Sequence, residues 1–239
     1  PKNLLGVAYR HAPIAITVEG ANILTRALIV FGQGAVRCHP YVLDEMEAVA
    51  AKDEEALGRA LLGHAGHVAR NLWAGLFFAP VIGRVPAGLE KEARLIAKLS
   101  AKYALTADLA MGLLGGKLKR MELLSARLGD VLACLYLASA SVWRYQVEGN
   151  AKLLPIARAG IRLQLDRAAR ILRELYANLP STPLKLIAPV LLFGTSHLAP
   201  MRDKDLVKQA EALRTDPDLI AALCPDVGEP TQGGLHDLQ

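Results

Sequence analysis

Long leucine- and alanine-rich stretches, each stopped by glycine or proline, occupy most of this chain and leave it few folds to adopt. Asp53-Glu54-Glu55 opens one that runs to about Val81, its acidic start complementing the positive end of a helix dipole. Gly83 to Gly88, with Pro86 inside, breaks it, and Leu89 to Leu114 forms the next, ended by Gly115-Gly116. Lys119 to about Glu148 stops at Gly149-Asn150, and Pro155 to Asn178 stops at Leu179-Pro180. Ahead of these, residues 22–34 predict a helix closed by Gly32-Gln33-Gly34. His39-Pro40 starts another, with proline in a tolerated first-turn position. A short apolar segment from Pro183 to Phe193, a charged helix from Asp203 to Arg214 and a Pro/Gly-rich tail over 225–239 complete the chain. Long amphipathic helices with short connections predict an all-α fold, an antiparallel bundle.

Composition supports this. Hydrophobic residues make up 52% but aromatics only 5%, so leucine and alanine must supply the core, which suits packed helices better than a β-sandwich. The 239 residues are ample for a core. A net charge of +5 is mild, with one modest basic cluster at Lys117, Lys119, Arg120 and Arg127. Nucleic-acid binding, which wants a denser patch and interleaved aromatics, is not expected. No uninterrupted apolar run approaches the ~20 residues that span a bilayer. Cys38, Cys134 and Cys224 are odd in number and far apart, as in a reducing, cytoplasmic compartment rather than a disulfide framework. The chain starts at Pro1 and reads as the C-terminal part of a larger protein.

The chemistry concentrates near the beginning. Ile16-Thr17-Val18 delivers Glu19 to Gly20, and a helix follows at once. A carboxylate there is poorly solvated yet close to the positive end of a helix dipole, two opposing influences on its pKa. It suits a general base in a dry pocket. On physical grounds alone a helix-end carboxylate that only stabilises the dipole is the commoner case.

Glu19-Gly20 with Arg26 resembles the glutamate-glycine element of the acyl-CoA dehydrogenases. With Tyr9-Arg10-His11-Ala12-Pro13-Ile14-Ala15 before it and Phe31-Gly32-Gln33-Gly34-Ala35-Val36-Arg37-Cys38-His39-Pro40-Tyr41 after it, the block is similar to the bacterial FadE-type members. The likeness continues through Gly115-Gly116-Lys117-Leu118-Lys119-Arg120 and Leu124 to Leu132. It implies that residues 1–40 end the catalytic helical domain, that 41–224 form a bacterial-type helical extension, and that 225–239 are a tail. It implies FAD as cofactor, an acyl-CoA substrate of long chain, and an electron-transfer flavoprotein as acceptor. Homo-oligomerisation and a cytoplasmic enzyme of fatty-acid β-oxidation are implied too.

By the same resemblance Glu19 removes the substrate's α-proton. Glu19 and Gly20 lie at the thioester, and Gly20 and Ala21 lie against FAD. Gly20 lets backbone approach thioester and flavin without a Cβ in the way. Where the family often has threonine and glutamine stand Ala21 and Ile23, which lack those side-chain hydrogen bonds. Asn22 is expected to cap the next helix and Arg26 to anchor it. The isolated chain is expected neither to hold FAD firmly nor to turn over substrate. The extension could mediate self-association, cover the acyl tunnel, or attach the enzyme peripherally to the inner membrane or to the next enzyme. A non-catalytic helical interaction module and an acyl-CoA oxidase are the competing readings.

Other motifs carry less. His64 and His67, spaced i,i+3, could share a metal, but no third ligand stands at suitable spacing. A solvent or core role is expected for both, and no metal site. Cys38-His39 cannot act as nucleophile and base because adjacent helical residues do not face each other. Cys38 is expected to be buried and His39 to be a turn or cap residue. Gly115-Gly116-Lys117 lacks the first glycine of a phosphate loop, Met111 standing in its place. Met111 and Met121 are expected in the core.

Overall fold

The computed structural model describes residues 6, 8–14, 24–81, 83–180, 188–189, 191–192 and 202–223; Glu19, Gly20, Ala21, Asn22, Ile23 and the tail lie outside them. Every regular element among the described residues is helical, as the glycine-punctuated pattern predicts. In chain order these are α1 (Thr25–Gln33), which runs on through Gly34–Arg37, α2 (Val42–Ala51), α3 (Glu54–Leu76) and α4 (Glu90–Leu114). Then come α5 (Glu122–Glu148), α6 (Leu154–Ala177), α7 (Asp203–Thr215) and α8 (Pro217–Leu223). Two turns of 3-10 helix (Gly115–Arg120) lead into α5, and a single 3-10 turn (Ala151–Leu153) leads into α6.

The stops differ in a physically clear way. Gly115 and Gly149 end α4 and α5 with positive φ of 49° and 63°, a conformation in which a helix cannot continue. Gly34 has φ −61°, and the helix passes through Gly32 and Gly34 instead of closing there. α1 is wound as a π-helix, a form with one more residue per hydrogen-bonded ring. α3 ends at Leu76, short of Val81, and begins where Asp53 accepts the Ala56 N–H at 2.9 Å. Pro40 lies in the turn before α2, not in its first helical turn. Cys38 follows the end of the α1 run and is exposed, not buried. α8, unforeseen in the sequence, packs back against the turn before α6.

α4, α5 and α6 form the centre, α5 and α6 packing most extensively. One buried cluster joins Leu89, Ile96, Leu99, Val131, Leu135, Ile161, Leu165 and Leu172; a second joins Phe31, Leu105, Leu124, Leu128, Leu175 and Tyr176. Met111 and Met121 pack against the second, as expected. α1 lies across α5, where Arg26 anchors it: its Nε is 3.5 Å from Asp130 Oδ1. α2 packs on α3, and α3 on α4. α5 is long and apolar enough, at a mean hydropathy of 1.4 over an 18-residue window, to cross a membrane by length and composition, and half of that window is buried within the bundle. Asp130 and Arg144 interrupt the helix, so no uninterrupted apolar run spans it.

Candidate functional site

Four segments converge where α2 and α3 meet α4. The bend after α1 supplies His39 and Tyr41, α2 supplies Glu45, α3 supplies His64 and His67, and α4 supplies Asp108. Local sequence sets up the first part. The backbone N–H groups of Tyr41 and Val42 donate to His39 Nδ1 at 3.2 and 3.1 Å, so the imidazole caps α2. That is the turn or cap role expected of His39. Gly63 permits the closure, since a Cβ there would overlap the Tyr41 ring.

The imidazoles then gather around one carboxylate. His39 Nε2 lies 2.8 Å from Asp108 Oδ1, the two side chains being 7% and 10% exposed. The approach is not aligned for a hydrogen bond, and among the described residues His39 Nε2 and both Asp108 oxygens are buried with no hydrogen-bond partner. His64 Nδ1 is 2.8 Å from Glu45 Oε1, and its Nε2 is 3.9 Å from Asp108 Oδ2. The His39 ring sits 4.7 Å from that of His64 and 5.4 Å from that of His67, centroid to centroid. Nitrogens of His39 and His67 and an oxygen of Asp108 all fall within 4.8 Å of one another.

His67 is held from outside by its own helix, with the Asn71 amide 2.8 Å from Nε2 and the Arg70 guanidinium 3.2 Å from Nδ1. Burial pushes its pKa below the usual histidine value. Asp108 pulls the other way, and His39, Arg70 and His64 add to the fall. Burial thus favours the neutral ring. Arg70 and Asn71 also line a cleft of about 490 Å³ between α3, α4 and α5, walled by Ile96, Val142 and Trp143.

Spacing along α3 displayed His64 and His67 but not the company they keep. The partners that completed the group come from a bend and from a different helix, and no local pattern announces either. The residues expected to carry catalysis and cofactor binding, Glu19, Gly20 and Ala21, lie outside the described residues. Gly115-Gly116-Lys117 forms part of the 3-10 stretch after α4.

No solved structure matches the chain. The family described as acyl-CoA dehydrogenase, C-terminal, bacterial type matches residues 36–230, which take in every helix from α2 to α8. With most of its length so matched and an all-α bundle to go with it, the chain belongs to the acyl-CoA dehydrogenase family, as its bacterial-type C-terminal domain.

Proposed function

We propose that this chain is the C-terminal part of an FAD-dependent enzyme that oxidises long-chain acyl-CoA to trans-2-enoyl-CoA, with Glu19 as the base. The observation that carries the reading is the family match over residues 36–230; Glu19-Gly20 precede it, and their role rests on the resemblance of the motif around them. Removing hydrogen across the α and β carbons needs one base for a weakly acidic proton. A carboxylate in an apolar setting is adequate for that. Bound FAD supplies the acceptor for the β-hydrogen. Glu19 takes the α-proton onto a carboxylate oxygen, and its backbone N–H donates to the thioester carbonyl as enolate-like charge develops. Gly20 and Ala21 offer FAD backbone only, and none of the described residues is assigned to it. An electron-transfer flavoprotein as acceptor, self-association and a cytoplasmic location belong to the same reading.

The test uses the full-length protein with its flavin. Palmitoyl-CoA is added anaerobically, and bleaching of the flavin band is followed in wild type and Glu19→Gln. The expected result is rapid bleaching in wild type, slowed at least ~100-fold in the variant. Equal rates would remove Glu19 from the mechanism, and an unbleached wild type would refute the reaction.

A further inference from the structure

We infer that His39, His67 and Asp108, flanked by His64 and Glu45, form a binding site for one divalent transition-metal ion of the Zn²⁺ class. Three observations converge on it. Ligand atoms from three separate segments lie within 4.8 Å of one another, near the spread that ligands at ~2 Å from one ion require. His39 Nε2 and Asp108 Oδ1 are close, at 2.8 Å, yet not aimed at each other, as donors to a common third atom would be. Both Asp108 oxygens are buried without a hydrogen-bond donor, and such a carboxylate is costly unless a cation faces it.

The surroundings fit the same ion. Glu45 accepts from His64 Nδ1–H at 2.8 Å, the carboxylate–imidazole arrangement that orients a metal-bound histidine. It leaves the His64 Nε2 lone pair on the side of Asp108 Oδ2, 3.9 Å away, beside the three ligand atoms, with water to complete four-coordination. Imidazole nitrogens with one carboxylate suit Zn²⁺, Co²⁺ or Ni²⁺ better than Mg²⁺ or Ca²⁺, which prefer all-oxygen sets. Loading has two local consequences: it displaces Arg70 or Asn71 from one of the two His67 nitrogens, both of which are hydrogen-bonded, and it changes His39. The Tyr41 and Val42 N–H groups hold Nδ1 of His39 as an acceptor, so Nε2 carries the proton. Coordination through Nε2 requires the other tautomer, with the proton on Nδ1 and the two backbone N–H groups released. Metal binding and the cap of α2 are thus in competition.

The site does not depend on the acyl-CoA reading, and its test reads metal in the resting protein without substrate. Full-length protein is stripped with chelator and titrated with Zn²⁺, then with Co²⁺ as a spectroscopic probe. Expected are one ion per chain and the intense visible bands of four-coordinate Co²⁺. Asp108→Asn and His67→Gln should lose at least 100-fold in affinity, Glu45→Gln ~10–100-fold as an outer partner, and exposed His11→Gln nothing. Absence of stoichiometric binding in wild type, or full binding in both ligand variants, would overturn the site and leave Asp108 with His39 as a neighbour only. Should the ligand variants not fold, X-ray absorption of the Zn²⁺-loaded wild type decides. A nitrogen/oxygen shell with imidazole scattering supports the site, and a sulfur shell places the ion on a cysteine and refutes it.

Discussion

Thr106, in the middle of α4, bears two hydrogen bonds on one hydroxyl: it is 2.7 Å from the Lys102 carbonyl and 2.7 Å from the Tyr176 hydroxyl on α6. Both side chains are buried. Burial pushes the Tyr176 phenol up to about 12, while the bond to Thr106 draws it partly back. Thr106→Val keeps the shape of the side chain but leaves the phenol with no partner here. We expect a loss of ~1–3 kcal/mol, read as a lower urea midpoint at unchanged slope. Tyr176→Phe removes the orphaned group itself and should cost less. At this scale the sequence is least informative. Thr106 and Tyr176 look ordinary in their own helices, and Cys38, expected inside, proves exposed because the helical run ends one residue before it. Burial of a single side chain depends on which face its helix turns to a neighbour and on where the helix stops.

Helix contacts turn on glycine in two opposite ways. Gly129 lies where α5 meets α1, and a Cβ there would stand 2.9 Å from the backbone oxygen of Arg26. Backbone cannot swing aside as a side chain does. Gly129→Ala should therefore destabilise by ~1–3 kcal/mol through overpacking. Gly112, in α4, has nothing near its Cβ position and no positive φ, so Gly112→Ala should instead gain ~0.5–1 kcal/mol. Thermal melts of the two variants beside wild type should move in opposite directions. Element existence was legible from such residues: the breaks at Gly83–Gly88, Gly115 and Gly149 all stand where the sequence puts them. Gly32 and Gly34 carried the same signal and did not stop their helix. Glycine permits the left-handed conformation but does not impose it, and packing of α1 on α5 decided the matter.

Across the whole molecule, burial of ionisable groups sets how stability follows pH. Lys102 is 2% exposed, and burial, with a smaller contribution from Lys98, lowers its pKa from 10.5 to about 8. Below about pH 8 folded and unfolded chains both hold the proton, and the folded state bears the cost of a buried charge. Between about 8 and 10.5 the unfolded chain binds a proton that the folded one does not, so stability rises with pH. Tyr176, raised from 10.0 to about 12, reverses the trend above 10, because there only the unfolded phenol ionises. Wild type should accordingly melt at higher temperature at pH 9.5 than at 7.5, and Lys102→Met should abolish that difference. Taken by itself, the sequence determined the fold class, the order and approximate ends of the long helices, and the family, because period, punctuation and motif are all local properties of the chain. Only the tertiary structure decided that His39 and Asp108 join His64 and His67. The physical reason is that the helical period places residues on faces but carries no term for which face of one helix will meet which face of another.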